Sequence, residues 1–321
     1  MPRPVSGTTL QRPDLAAIAH EYMFAASQRG FIAQQVLPIF TVTEPAADYP
    51  VLPIEAVMKL TDLKRAPRGT YNRDDWEFET NTYNCEEYGT EEAVDDVEAR
   101  LYQRYFDAEE VAVLRATDKL LRAYEKRVAD LVFNTANITN NTELTTEWSN
   151  ISCTPKNDIK TAKAAMRAAT GLEPNTLIIS KKVMENVLIS TEIKDYLQYT
   201  NPHMLLNLEA QRRLLAQYLD LDQVLIGNAM YDSADKGQSF SLTDIWDDEY
   251  ALLCIVSNGG LNLKEPCLGR TFMWTKDSPN IINAEQYREE QRRSNIYRVR
   301  HYTGEALIFA SAGWLLYNVT A

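Results

Sequence analysis

The chain contains only three histidines (His20, His203, His301) and four cysteines (Cys85, Cys153, Cys254, Cys267) in 321 residues. The cysteines are far apart and form no C-x-x-C pair, which excludes a disulfide framework and fits reduced thiols. His20-Glu21 opens like a zinc-binding helix, but Phe24 stands where the second histidine is needed. There is no Walker loop, no GxGxxG, no GxSxG and no HExxH. No apolar run approaches the roughly 18 residues of a membrane helix. The N-terminus MPRPVSGTTLQRPDL lacks the apolar centre of a signal peptide. No internal repeat is evident. Nothing here marks an enzyme, so no catalytic, cofactor-binding or metal residue is assigned and no cofactor is expected.

Two further scarcities are local. Between Leu63 and Tyr88 there is no Leu, Ile, Val or Met. From Asp74 to Ala99 there is no Lys or Arg, while Asp74, Asp75, Glu77, Glu79, Glu86, Glu87, Glu91, Glu92, Asp95, Asp96 and Glu98 accumulate. The preceding limb is basic, with Lys59, Lys64, Arg65, Arg68 and Arg73. Such a segment cannot bury a core of its own. It reads as a two-stranded excursion with its tip near Pro67-Arg68-Gly69, and an isolated hairpin is marginal in water. Yet it carries Tyr71, Trp76, Phe78, Tyr83 and Tyr88, each able to bury about 150–250 Å². These rings are expected to dock on something. The acidic limb would repel a polyanion, and the net charge of −12 argues against adhesion to nucleic acid.

Elsewhere the composition is that of a soluble globular protein, 45% hydrophobic and 24% charged. DLAAIAHEYMFAASQ puts Leu15, Ile18, Tyr22 and Met23 on one helical stripe. FIAQQVLPIFTV follows, extended and broken by Pro38, with Phe31 and Phe40 as further anchors. Residues 1–50 therefore read as an arm. The strongest helix signal begins at Asp107-Ala-Glu-Glu110, which resembles a capping box. Leu114, Thr117, Leu121, Tyr124, Val128 and Leu131 then recur at spacings of three and four, predicting a helix over 107–133, about 40 Å long. Residues 134–148 read as a short hairpin. From Thr154 helices and strands alternate: a helix opening at Thr154-Pro155 and ending at Gly171, the strand NTLIIS, a helix capped by Ser180, and the strands QVLIGNA, EYALLCIV and RTFMW. The chain closes on two β segments, NIYRVRHY and ALIFASAGWLLYNV.

This order of parts resembles the major capsid protein of tailed bacteriophages, with the Hong Kong 97-type fold. The stretches that carry the likeness are FIAQQVLPIFTV, EPNTLIISKKVMENVL, LAQYLDLDQVLIGNAMYDSADKG with IWDDEYALL, and GRTFMWTKD…IYRVRHYTGEALIFASAGWLLYNV, together spanning most of residues 30–321. The resemblance implies an α+β fold: an N-arm (1–50), an extended β-hairpin E-loop (51–98), a peripheral domain with a long spine helix (99–154 and 285–305), and an α/β axial domain (155–284 and 306–321). It implies self-assembly into hexamers and pentamers, and an icosahedral head around double-stranded DNA that is enclosed without sequence-specific binding. The E-loop would lie on the neighbouring subunit, using Lys59, Lys64, Arg65, Arg68, Arg73, Trp76, Phe78 and Tyr83. A separate scaffolding protein and a portal are implied as partners, a decoration protein is compatible, and no membrane is involved. The expected location is the virion, after assembly in the host cytoplasm. Lys59, Lys64 and Asn318 are the residue types of the Lys–Asn crosslink of some members, but no motif aligns them and the crosslink is not expected.

Two other readings compete. One is an encapsulin-like compartment shell with the same fold. The other, of a different class, is an α/β enzyme over 155–284 with Asp247, Asp248 and Glu249 as metal-binding carboxylates. Asp232 and Asp235 invite the same cation reading. A polar loop leading into a strand is the plainer account of both.

Overall fold

A computed structural model describes residues 10–11, 30–53, 58, 60, 64–65, 67–71, 78–102, 107–200, 208–257 and 265–320. The arm contributes β1 (Leu10–Gln11), the single turn α1 (Ala33–Val36) and β2 (Ile39–Val42). A two-stranded ribbon follows, β3 (Ala46–Val51) with β4 (Glu79–Asn84), and then β5 (Glu86–Asp95), α2 (Asp96–Tyr102) and the long α3 (Ala108–Val132). Next come β6 (Asn141–Glu143), α4 (Pro155–Thr170), β7 (Thr176–Ser180), α5 (Lys181–Ile189), α6 (Thr191–Thr200), α7 (Leu208–Leu219), β8 (Gln223–Gly227), β9 (Met230–Asp232) and β10 (Leu242–Asp244). The chain ends with β11 (Tyr250–Cys254), β12 (Gly269–Trp274), β13 (Asn283–Glu289), β14 (Ser294–Leu307) and β15 (Gly313–Tyr317).

Among the described residues, two sheets organise the molecule. One has the order β1-β13-β14-β12-β2 with β5 added along β14; the other has the order β6-β15-β11-β7-β8. In the second sheet β7, β8, β11 and β15 are buried, which is why they read as apolar runs, while β6 is a short polar edge strand. The two-residue strand period divides those runs between two cores. Leu177, Ile179, Val224, Ile226, Ala251, Leu253 and Leu316 face the outer helices, while Ile178, Leu225, Leu252, Cys254 and Leu315 face the core shared with α3. Each such Leu or Ile contributes about 1.5–3 kcal/mol when fully buried.

Helix α3 lies within one residue of its expected bounds. Asp107 caps it, its carboxylate accepting the Glu109 N–H at 2.9 Å. Its buried stripe includes Leu121, Tyr124 and Val128, as the sequence pattern implies, but is centred on Val113, Ala116, Leu120 and Val132. Leu114 and Leu131 lie half-buried at the margin. The helix starts are equally local. Pro155 opens α4, Gly171 ends it in the left-handed region (φ 69°), and the Ser180 hydroxyl accepts the Val183 N–H to cap α5.

Several long-range pairings differ from expectation. Residues 86–95 do not project with the E-loop. They form β5, paired along its length with β14 from Glu86↔Thr303 to Asp95↔Ser294. The projecting part is instead founded on the β3–β4 ribbon, so it begins inside the segment assigned to the arm. Strand β12 joins the sheet of β14 and β2 and not the five-stranded one, so residues 155–284 hold strands of both sheets. Residues 134–148 are not a hairpin, because β6 pairs in parallel with β15. In each case the pairing partner lies far away in sequence, where local pattern carries no signal.

Candidate assembly interface

The finger that rises from the β3–β4 ribbon has a buried root and an exposed tip. At the root, the Tyr83 ring stacks on Phe272 with centroids 4.5 Å apart, Tyr49 packs on the same ring at 5.6 Å, and Tyr83 donates its hydroxyl to the Glu44 carbonyl at 3.1 Å. Tyr83 was expected to reach a neighbouring subunit. It is 9% exposed and serves the finger's own base. A second fixation lies at the corner between β4 and β5. There Gly304 of β14 passes so close to the Asn84 and Cys85 backbone that any Cβ would overlap it. Burial pushes the Cys85 thiol up to about 11, which keeps it protonated and inert.

Beyond the root the apolar side chains meet solvent. Leu60 is 99% exposed, Tyr71 70% and Phe78 60%. The tip turns at Pro67-Arg68, with Arg68 at φ 67°, and Arg65 reaches across the turn to the Gly69 carbonyl at 2.7 Å and over the Tyr71 ring at 4.8 Å. Met58 is half exposed and lies against Gly171 of the same chain. Lys64, Arg65, Arg68 and Phe78 are thus placed on the finger, whereas Lys59, Arg73 and Trp76 lie outside the described residues. So do the arm anchors Leu15, Ile18 and Tyr22. Phe31 and Phe40 are placed, and both pack on the chain's own body. The Arg122 guanidinium sits 5.7 Å from the Phe31 ring, and Phe40 meets Phe272 edge-on at 5.9 Å.

The acidic limb finds most of its counter-charges about two hundred residues away. Arg298 binds Glu91 at 2.7 Å, Arg288 binds Asp96 at 2.8 Å, Arg300 approaches Glu87 at 3.5 Å, and Lys119 pairs with Glu92. The arginines sit on β13 and β14, and Arg298 is directly opposite Glu91 in register. Tyr88, another ring expected to need an outside partner, is half-buried under the Arg127 guanidinium at 3.7 Å. Arg127 also meets Glu305 at 3.1 Å and the buried His301 at 3.1 Å. Burial, with Arg127 adding to it, lowers the His301 imidazole to about 3, so it stays neutral: Nδ1–H donates to the Ile281 carbonyl and Nε2 accepts from Arg127.

One residue of the junction went unmarked in the sequence reading. Glu125, in the middle of α3, is 1% exposed. Its carboxylate accepts the Ile32 N–H at 2.7 Å, the Ala33 N–H at 2.9 Å and the Trp246 indole N–H at 2.7 Å. It caps the turn α1 from another element and ties the arm, α3 and the β10–β11 connection together. Burial raises its carboxyl from 4.5 to about 7, against the pull of those three donors. The signal was present: Glu125 falls on the same stripe as Leu121 and Val128, where a carboxylate must find buried partners.

The carboxylates of the enzyme reading do not converge. Asp248 is taken by the Ser180 hydroxyl at 2.8 Å and Lys182 at 2.7 Å, and Asp247 accepts the Glu249 N–H at 3.1 Å. Asp232 accepts the N–H groups of Ala234 and Ser241 within the β9–β10 hairpin. Among the described residues, no three His, Cys, Asp or Glu side chains are grouped to hold a metal ion, and no helix is long and apolar enough to cross a membrane. The Asn318 amide donates to the Leu144 carbonyl at 3.1 Å.

The architecture recurs in solved structures. A phage-related protein from Bordetella bronchiseptica RB50 superposes with a TM-score of 0.70 at 21% identity, covering 98% of this chain and 99% of that one. The capsid of cyanophage P-SCSP1u gives 0.59 at 10% identity over 88% and 86%. In sequence, the major capsid protein of Burkholderia phage BcepMu is 25% identical over 297 residues, 90% of this chain and 91% of that protein. The chain has the Hong Kong 97-type fold and is similar in sequence to a tailed-phage major capsid protein. These likenesses support a shell protein with a structural role. No protein-family model matches the chain.

Proposed function

We propose that copies of this chain assemble into hexamers and pentamers that close an icosahedral head around double-stranded DNA, each E-loop lying on the neighbouring subunit. The observation that carries this reading is the exposed tip: Leu60, Tyr71 and Phe78 present their apolar surface to water on a hairpin with a firmly packed root. A hairpin built this way is a contact waiting for a surface. Each subunit then needs several interfaces of about 1,200 Å² or more, and extended segments supply that area without enlarging the core. A separate scaffolding protein guides closure in the host cytoplasm, a portal occupies one vertex, and the product is the virion shell. The net charge of −12 lets the lining hold DNA without adhering to it.

Negative-stain electron microscopy of the purified full chain, with and without a scaffolding protein, tests this. Rings or closed shells of uniform size are expected. A monodisperse monomer at every concentration and with every scaffold would overturn it.

A further inference from the structure

The arm enters the body at one crowded point. Gly30 lies at φ 89° and packs so closely on Asn228 that a Cβ would stand 2.4 Å from the Asn228 Cβ. Its carbonyl accepts the Asn228 N–H at 3.2 Å. Phe31 lies under Arg122, and the turn α1 follows. The first N–H groups of a helical turn find no partner within it. Here Glu125 of α3 supplies one: Oε1 accepts from Ile32 and the Trp246 indole, and Oε2 from Ala33. Farther along, the arm is held differently, by the Thr271 N–H on the Pro38 carbonyl and by the pairing of β2 with β12. One buried carboxylate therefore grips the entry of the arm, and the arm in turn packs on that carboxylate.

No cation balances it. Among the described residues Glu125 has no ion-pair partner, and burial, not a neighbouring charge, sets its acidity. The stretch from Gly30 to Leu37 has no titratable side chain. On α3, Arg122 is turned to Asp118 and the Met230 carbonyl, Lys126 to Asp130, and Arg127 to Glu305 and His301 of β14. Tyr124 bonds Thr271 of β12, and the Tyr231 ring of β9 meets Lys126. Beside Trp246, Asp244 lies near Lys181 and Lys182, Asp248 is held by Ser180 and Lys182, and Asp247 accepts the Glu249 N–H. A carboxylate buried without a cation is costly to keep charged. Lifting the arm would return it to water, where the charged form is favoured.

We propose that Glu125 is a proton-operated latch on the arm: with its proton bound, the entry from Gly30 to Leu37 stays seated, and that entry lifts more readily once the proton is lost. The seated arm and the proton bind together. A carboxyl near 7 when covered and near 4.5 in water makes lifting easier as the pH rises between those values, by up to about tenfold per unit. Whatever draws the arm away from the body, a second copy included, then acts more easily at neutral pH than in acid. The latch belongs to the single chain and does not depend on shell formation.

Hydrogen exchange of the full chain, held dilute so that it stays unassembled and corrected for the intrinsic pH dependence of amide exchange, tests this. The control is α4, whose core lies on the other face of the second sheet from Glu125. From pH 5 to pH 8 the opening constant of residues 30–37 should rise by at least about tenfold, while that of α4 stays level. In Glu125→Gln, which has no proton to lose, residues 30–37 should show no such rise. Trp246→Phe removes one donor to the charged form, so the rise should extend to higher pH. The comparison of the two segments in the parent decides even if a variant fails to fold. Opening of residues 30–37 that is constant with pH, or that rises only in step with α4, would overturn the latch, as would an equal rise in Glu125→Gln.

Discussion

At the residue scale, Glu125 concentrates the tension in this structure. Three N–H donors favour its charged form, and burial disfavours that form more strongly, leaving the carboxyl at about 7 instead of 4.5. The folded chain thus binds this proton more tightly than the unfolded chain does. The resulting contribution to stability is present below about pH 4.5 and is lost as the pH rises through 7, at up to about 1.4 kcal/mol per unit. In Glu125→Gln that slope disappears, because the amide does not titrate. Comparing parent and variant by denaturant unfolding from pH 4 to 8 cancels the opposite effect of His301, which is held neutral by burial in both. The stability difference between the two proteins should shift in the variant's favour as the pH rises; a difference constant with pH would show that Glu125 keeps one protonation state. Glu125→Ala removes the acceptor altogether and strands the Ile32, Ala33 and Trp246 N–H groups, at about 1–3 kcal/mol each, and unfolding at any pH should register it.

At the scale of elements, what was legible in the sequence was what neighbouring residues decide among themselves. Asp107, the three-and-four spacing of Leu121, Tyr124 and Val128, Pro155 and Gly171 at the two ends of α4, and Ser180 before α5 all act within a turn or two, and the structure uses each of them. The Arg68 turn at the finger's tip is equally local. What was not legible depended on partners far along the chain. The carboxylates of β5 looked unmatched because Arg288, Arg298 and Arg300 lie about two hundred residues later. Tyr83 looked unsheltered because its shelter, Phe272, belongs to a strand that the sequence reading placed in the other domain. Glu125 could have been singled out as a carboxylate on an apolar stripe, but not its partners in the arm and at Trp246. Helix α3 offers a test at this scale. Asp107 is its cap, so Asp107→Ala should cost about 1 kcal/mol and lower the melting temperature by a few degrees. A variant that melts like the parent would mean that α3 is fixed by its packed face alone, with no contribution from its first turn.

At the scale of the whole molecule, the chain divides into a body that satisfies itself and a finger that does not. The arm from Ile32 to Leu37, α3 and both sheets share continuous cores, and Glu87, Glu91, Glu92 and Asp96 of the acidic limb pair with basic side chains of the same chain. Even the finger's root belongs to the body. The segment above the ribbon carries Leu60, Tyr71 and Phe78 into solvent on a hairpin with no core of its own. The division can be made physical, because Val51 and Glu79 are directly paired at the top of the β3–β4 ribbon. Replacing residues 52–78 with Asn-Gly would close the ribbon as a tight hairpin without disturbing Tyr49, Tyr83 or Phe272. The shortened chain should fold, melt within a few degrees of the parent and remain a monomer under conditions where the parent forms shells. Sedimentation velocity and thermal unfolding measured together decide the matter. If it unfolds, the finger stabilises the body after all, through contacts such as that of Met58 with Gly171; if it folds and still assembles, the finger is not what joins one subunit to the next.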